Sequence, residues 1–390
     1  MRACAYNHMR ISTFVLLALL GCPRAAPMPP PPASLAGTAA LELVESEPIE
    51  TPLDRPDLRD AWEVWPQMIA AARERIDAAE FYASSEPGSR LEPIIEELQA
   101  AAARGVQVRW LADAHFASVY PEVLERLSSR GVQVRKMESL HAKYFVVDGR
   151  EAFVGSQNFD WRSLTHIQEL GLRFRSAEAV RALLDIFQTD WAGKVSPPSR
   201  GYTFASGEPR LVASPRDSLP AAQLWDLPAL VQLIDSARSS VQVQLLTYGE
   251  VPELEQALIR ATSRGVQVQL LLSDWELRPK TLARLRGLDR RVEVRIFTIP
   301  QWSRGFIPFA RVAHAKYCAV DAVRGWVGTS NWEPDYFYRS RNVGLLLEGG
   351  PIPARLDAFF RENWSSPYAA PFDPAREYTP PRISAAAPAR

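Results

Sequence analysis

The chain has 390 residues, 47% of them from the set AVILMFWYC, 10% aromatic and 23% charged. This composition supplies a large core, excludes disorder of the whole chain, and suits two ordinary domains or one large α/β unit. Lys+Arg and Asp+Glu balance at 45 each, so a strongly basic nucleic-acid binder is not indicated while a local basic cleft stays open.

The first segment carries Arg2 and Arg10 ahead of the apolar stretch Ile11-Ser-Thr-Phe-Val-Leu-Leu-Ala-Leu-Leu20, then Gly21-Cys22. A basic start, a short apolar stretch and a small residue at the cut are the marks of a secretory signal, too short to span a bilayer. Residues 1–21 are therefore read as a signal peptide. Leu19-Leu20-Gly21-Cys22 resembles the bacterial lipoprotein cleavage box, with Cys22 as the lipidated first residue. The expectation is an extracytoplasmic protein held at a membrane by a lipid anchor; an ordinary signal with an incidental cysteine is the alternative. Residues 22–57, rich in Pro and Ala, read as a tether. No run of 18 apolar residues exists anywhere, which excludes a polytopic membrane protein. Cys4, Cys22 and Cys318 cannot build a disulfide framework, and no Cys/His cluster has metal-ligand spacing.

From residue 58 onward the chain is written twice. Arg104-Gly-Val-Gln-Val108 recurs as Arg264-Gly-Val-Gln-Val268, a shift of 160, and Arg130-Gly-Val-Gln-Val-Arg135 is echoed by Arg290-Arg-Val-Glu-Val-Arg295. His141-Ala-Lys-Tyr144 returns as His314-Ala-Lys-Tyr317, shifted by 173, and that register persists through Gly155/Gly328, Asn158/Asn331, Gly171/Gly344, Phe187/Phe360 and Trp191/Trp364. A 13-residue insertion within 296–313 accounts for the difference. The organisation predicted is a first half over 58–194, a linker over 195–222, a second half over 223–368 and a flexible tail over 369–390.

Helix-period segments at 62–75, 91–104 and 120–130 alternate with β-branched runs at 76–82, 106–111, 132–137, 144–147, 153–155 and 170–174. In the second half, helices at 226–239, 253–264 and 278–287 alternate with runs at 241–247, 266–272, 292–297, 317–320, 326–328 and 343–347. Such alternation predicts an α/β fold: two duplicated halves, each a mixed sheet flanked by helices, packed about a pseudo-two-fold axis with one shared site.

The duplicated residues are themselves reactive. His141-x-Lys143-x4-Asp148-x6-Gly155-Ser156-x-Asn158 stands against His314-x-Lys316-x4-Asp321-x6-Gly328-Thr329-x-Asn331, and these use two of only five histidines. His and Lys two apart on a strand share a face, and the hairpin that follows returns a hydroxyl and a carboxamide. Lysine ammoniums and Asn amides would hold the non-bridging oxygens of a phosphodiester, leaving one imidazole to attack phosphorus and the other to protonate the departing alkoxide. No metal or other cofactor is called for, because the lysines supply the positive charge.

This double HxKx4D pattern resembles the phospholipase D superfamily over roughly 58–368. Within it the chain most resembles the phospholipase D3/D4-type 5′-exonuclease branch, through Gly155-Ser-Gln-Asn-Phe-Asp-Trp-Arg-Ser-Leu164, Glu169-Leu-Gly171, Ile307-Pro-Phe-Ala-Arg-Val312, Gly328-Thr-Ser-Asn-Trp332 and Trp364-Ser-Ser-Pro-Tyr368. It departs from that branch in lacking its paired cysteines and in its lipoprotein-like start. The resemblance implies a metal-independent phosphodiesterase with His141 as nucleophile, forming a phosphohistidine, and His314 as general acid and then base. It implies that Lys143, Lys316, Asn158 and Asn331 grip the phosphate, with Ser156, Thr329 and Asn342 as further substrate contacts. Glu169 corresponds to a carboxylate that orients the nucleophilic imidazole, and Asn342 occupies the equivalent second-half position. Asp148 and Asp321 complete the motif.

Two substrate classes stand: single-stranded nucleic acid cut from a 5′ end, and phospholipid headgroups cleaved or transferred. Aromatic residues beside the motifs (Phe159, Trp161, Trp332, Tyr336, Phe337) suit base stacking or an acyl chain, and equally a core under the loops. Trp302, Phe306, Pro308 and Phe309 of the insertion are candidates for the cleft entrance. Arg162, Arg311, Arg339 and Arg341 are candidates for extra phosphate contacts. His115 and His166 have no counterpart in the other half and read as structural or solvated.

Overall fold

The computed structural model describes residues 41–378. The signal segment, Cys22 and the proline run lie outside the described residues, as does the chain after Tyr378. Among the described residues no helix is long and apolar enough to cross a membrane.

The first half opens with β1 (Leu41–Ser46), β2 (Arg59–Asp60), α1 (Ala61–Ala71) and β3 (Arg75–Glu80). There follow β4 (Ala83–Ser84), α2 (Glu92–Ala103), β5 (Gln107–Asp113), α3 (Phe116–Val119), α4 (Glu122–Ser128) and β6 (Gln133–Met137). It closes with β7 (Lys143–Val147), β8 (Glu151–Gly155), β9 (Phe159–Asp160), β10 (Glu169–Phe174) and α5 (Ala177–Ala192). Its main sheet has the order β2-β1-β10-β8-β7-β3-β5-β6, with β3, β5 and β6 parallel and β7, β8, β10 and β1 joined antiparallel.

The second half repeats this. Its elements are β11 (Arg210–Ser214), α6 (Asp226–Asp235), β12 (Ser240–Leu245), α7 (Pro252–Ser263), β13 (Gln267–Ser273), α8 (Pro279–Gly287) and β14 (Val292–Phe297). Then come β15 (Tyr317–Val320), β16 (Arg324–Gly328), α9 (Pro334–Tyr338), β17 (Asn342–Glu348), α10 (Pro351–Trp364) and β18 (Ala369–Pro371). The sheet order is β11-β17-β16-β15-β12-β13-β14-β18. All twelve predicted strands are present within two residues.

The boundaries need correction. β1 lies inside the stretch read as tether, and β11 inside the stretch read as linker; they are equivalent strands, pairing antiparallel with β10 and β17. The tail likewise begins with β18, paired to β14. Short runs such as Leu41-Glu-Leu-Val44 were hidden by the prolines and alanines around them, yet Leu43, Leu211 and Ala213 bury side chains in the central core. Two helices, α5 and α10, have no counterpart among the predicted segments.

Strand alternation sorts the apolar residues into three layers. Phe145 and Val147 of β7 face an outer core with Trp65 and Met68 of α1 and Ile95 and Leu98 of α2. Tyr144 and Val146 face a central core that both halves share. There Leu183 and Phe187 of α5 and Phe359 and Phe360 of α10 fill the space between the sheets. The second half buries α6 and α7 on its own outer face. Burying a Phe or Leu side chain stabilises by about 1.5–3 kcal/mol, so this shared layer is what locks the halves together.

The repeated glycines have a packing reason. Gly155 faces Gly171 and Gly328 faces Gly344 across neighbouring strands. The ring of Phe153 lies against the first pair and Trp326 against the second, where any Cβ would collide.

Candidate active site

The HxK segments sit where the halves meet. His141 N donates to Arg341 O at 3.0 Å and Arg341 N to Ser139 O at 2.8 Å; equivalently, Gln168 N donates to Val312 O at 3.1 Å and His314 N to Gln168 O at 2.8 Å. Each histidine thus lies just ahead of its strand, held by backbone from the other half. His141 and His314 line one cavity of about 290 Å³, together with Asn158 and Asn331. Part of its wall comes from residues just past the carboxyl ends of parallel strands: Phe81 and Tyr82 after β3, Phe116 after β5, Leu246 after β12 and Trp275 after β13. That is where an α/β sheet ordinarily leaves a crevice.

The two imidazoles have different partners. His141 Nδ1 lies 2.9 Å from Asn342 Oδ1, 201 residues away in sequence. His314 Nδ1 lies 2.7 Å from Glu169 Oε2, 145 residues away. In both rings an oxygen at Nδ1 keeps a proton there and leaves the Nε2 lone pair for chemistry. Lys143 Nζ donates to His141 O at 2.6 Å and stands 3.4 Å from His141 Nε2; Lys316 Nζ donates to His314 O at 2.7 Å. Phe81 and Tyr336 pack on His141, each with ring centroids 4.7 Å away.

Burial dominates the electrostatics. It lowers both imidazoles well below their usual value, reinforced by Lys143 and Lys316. It takes Lys316 down to about 7 against the pull of Glu169, and lowers Lys143 well below its usual value, with Lys316 adding to the effect. It pushes Glu169 up to about 7, opposed by Lys316 and by the Ser156 and Ser163 hydroxyls. Two buried ammoniums around one small volume create an anion site: a phosphodiester brought there would restore the lysine charges. Asn331 Nδ2 and Asn158 Oδ1 have no hydrogen-bond partner among the described residues, and Asn331 Oδ1 accepts from Thr247 N at 3.3 Å, which leaves its amide nitrogen for a ligand.

Several sequence-based expectations change. Glu169 does not orient His141; it holds His314, because Gln168, just before β10, pairs with the backbone of the other half's motif. Ser156, Thr329 and Asn342 do not line the cavity. Ser156 Oγ is bonded to Leu170 O and N, and Thr329 Oγ1 donates to Asn342 Oδ1 at 2.9 Å while accepting from Val343 N. These side chains support the imidazoles' partners, with Ser163 Oγ on Glu169 Oε1 at 2.8 Å.

Asp148 and Asp321 are turn clamps rather than reacting groups. Asp148 accepts from the backbone N–H of Arg73, Glu74 and Arg75, and Asp321 from those of Arg238, Ser239 and Ser240, all within 2.8–2.9 Å. Both residues have φ above +50°, a conformation Asp tolerates better than most side chains.

Of the aromatic candidates, Tyr336 and Phe309 line the cavity. Phe159, Trp332 and Phe337 are core, and Trp161 packs on His166. Arg162 is the one arginine candidate in the wall, tied to Asp160 Oδ2 at 2.9 Å. Arg311 bonds the backbone of Pro300 and Ile49, Arg339 pairs with Asp335 and Arg341 with Asp190. His115 is exposed and His166 is buried against Trp302. Phe81, Tyr82, Phe116, Tyr120 and Trp275 were missed as wall residues; their position after parallel strands was the available signal.

Comparison with known proteins agrees with this layout. The family described as "Cardiolipin synthase, PLD-like domain" matches residues 66–191 and 230–364. The "5'-3' exonuclease PLD4" of Mus musculus is 30% identical over 401 residues, covering 85% of this chain and 80% of that protein. The "5'-3' exonuclease PLD3" of Homo sapiens is 30% identical over 373 residues, covering 80% and 76%. Among solved structures, phosphatidylserine synthase of Haemophilus influenzae superposes with a TM-score of 0.60 at 12% identity, over 80% of this chain and 85% of that one, a likeness of fold. Because the family match runs through both halves and takes in both His-x-Lys pairs, the chain belongs to the phospholipase D superfamily.

Proposed function

We propose that the protein is a metal-independent phosphodiesterase that hydrolyses single-stranded nucleic acid from its 5′ end through a phosphohistidine. The observation that carries the chemistry is the meeting of two Nδ1-anchored imidazoles at one cavity, with a buried lysine two residues from each, just behind the cavity wall. Lys143, Lys316, Asn158 and Asn331 hold the non-bridging oxygens and stabilise the charge of the five-coordinate phosphorus. His141 Nε2 attacks, an N–P bond forms, the P–O bond breaks, and His314 gives its Nε2 proton to the leaving alkoxide. His314 then takes a proton from water as that water displaces His141 from phosphorus. Each acid–base step is worth about 10²–10⁴-fold.

Nucleic acid is favoured by the wall of Phe81, Tyr82, Phe116 and Tyr120, whose faces suit bases. The size of the cavity favours one residue of a strand over a base-paired duplex, and the two exonuclease relatives point the same way. The test is incubation of the purified protein with 5′-labelled oligonucleotide and, separately, phosphatidylcholine vesicles, both in EDTA. Stepwise release from the oligonucleotide supports the reading. Release of choline or phosphatidate alone would replace it with a phospholipase, and dependence on added metal would refute the mechanism.

The chain is exported and held at a membrane through Cys22. Cys22→Ser should move the mature protein from the membrane fraction to the soluble one; an unchanged distribution would refute the anchor.

A further inference from the structure

We propose that Asn342 is a positioning residue that keeps His141 uncharged before attack and makes its phosphoryl adduct short-lived. The proposal rests on the phosphodiesterase reading above and deepens it. The repeat puts Asn342 where the first half has Glu169, so the two imidazoles receive an amide and a carboxylate respectively. That difference assigns their work.

The orientation of the Asn342 amide is settled by its neighbours. Its Oδ1 receives His141 Nδ1–H and the Thr329 hydroxyl, both at 2.9 Å. Its Nδ2 donates to Tyr336 O at 3.1 Å and to Ser340 Oγ at 3.0 Å and O at 3.3 Å. Turning the amide over would set an NH2 against the Nδ1 proton and an oxygen against two carbonyls. Asn342 can therefore only accept from His141, which fixes the Nδ1–H tautomer with the lone pair on Nε2.

The charges facing His141 are Lys143 and Lys316, with His314 beyond them. The carboxylates nearby belong to other groups: Glu80 on β3 acts on Lys143, Asp113 on β5 also accepts from Leu140 N, and Glu169 bonds His314. Phe81 and Tyr336 cover the ring itself. With a neutral acceptor and two cations in view, His141 stays unprotonated and nucleophilic. His314, with a carboxylate on Nδ1, is the ring that gains a proton once an anionic phosphodiester offsets the lysines. After attack the His141 ring carries positive charge with only an amide dipole behind it. That favours expulsion of the ring by water, whereas a carboxylate there would stabilise the adduct.

Asn342→Asp tests this, because one carboxylate oxygen still accepts from Nδ1 and preserves the tautomer, while the other faces Tyr336 O and Ser340 O at a cost that the melt reads separately. The wild type and variant would be compared with an oligonucleotide labelled at the scissile phosphate and with bis(p-nitrophenyl) phosphate, using alkaline quench. In the variant, kcat should fall about ten- to hundredfold, the range seen when a residue behind a reacting group is altered. A burst approaching one adduct per enzyme should appear, with the label on the peptide containing His141. The acid limb of kcat/KM should move to higher pH, because a raised imidazole value means protonation, and loss of attack, sooner on acidification. An unchanged acid limb without a burst, or label on the His314 peptide, would overturn the proposal.

Should Asn342→Asp fail to give a cooperative melt, Glu169→Gln carries the decision. It leaves His314 with an amide as well, so alkyl leaving groups should lose about 100-fold or more while p-nitrophenolate, which needs no acid, loses far less. Equal losses on both would overturn the division of roles. A wild type inert on both substrates would instead sink the underlying phosphodiesterase reading.

Discussion

Asp190→Ala is expected to be among the most damaging single changes away from the reacting atoms. Asp190 closes α5 in the first half, and Arg341 lies just before β17 in the second. They form a two-pronged ion pair, Nε–Oδ2 and Nη2–Oδ1 both 2.8 Å, with the arginine side chain 0% and the aspartate 2% exposed. Arg341 also donates to Ser214 O at 2.7 Å and Ser218 O at 2.6 Å, while its own carbonyl receives His141 N. Removing the carboxylate strands a guanidinium in a dry interior, which costs about 3–5 kcal/mol, whereas replacing both partners with apolar residues is often nearly neutral. The assay is urea unfolding followed by tryptophan fluorescence for Asp190→Ala, Arg341→Met and the double variant. A stability loss of about 3 kcal/mol or more is expected in the first, with a coupling of about 1–3 kcal/mol in the cycle. Activity should fall with it, because Arg341 sets the backbone of both His141 and Asn342. A loss below about 1 kcal/mol, or strict additivity, would refute the argument that this pair joins the halves at the site.

Two further outcomes follow from the same geometry. Asp148→Asn should lower stability by about 1 kcal/mol while leaving kcat unchanged, because this carboxylate serves backbone N–H groups and is partly solvated. Burial would raise Asp148, but the N–H groups of Arg75, Glu74 and Arg73 outweigh it and hold the carboxyl below its usual range. Its contribution is therefore complete above the unfolded value of about 3.9 and disappears as pH falls through the lower folded value, so the variant's deficit in urea midpoint should vanish in strong acid. A loss of turnover without loss of stability would return Asp148 to the chemistry. Phe116→Leu should raise KM for an oligonucleotide about five- to hundredfold, as expected for one lost base-stacking face, and leave bis(p-nitrophenyl) phosphate kinetics alone. Equal effects on both substrates would show that Phe116 shapes the reacting centre instead.

Local pattern alone located most of the strands and both reactive pairs. β-branched runs bounded by polar turns are legible within a few residues, and duplication doubled the signal at His141/His314, Lys143/Lys316 and Asn158/Asn331. Asp148 and Asp321 repeated just as faithfully, so repetition by itself could not separate reacting groups from the clamp that holds a turn closed. Nor could it show that β1, β11 and β18 join the sheets, since each is a short segment stabilised by pairing and packing with elements far away in sequence.

What the tertiary structure decided was partnership. Glu169 meets His314 across 145 residues and Asn342 meets His141 across 201. No window of sequence contains either pair, because each histidine is oriented by the first residue of a strand in the opposite half. The cavity wall is of the same kind: Phe81, Phe116 and Trp275 follow three separate strands and become neighbours of the site only because parallel strands end on one side of their sheet. The sequence determined which groups react, since their chemistry is intrinsic to the side chains. Folding determined which acceptor each imidazole receives, since that depends on distances between elements set by the shared core.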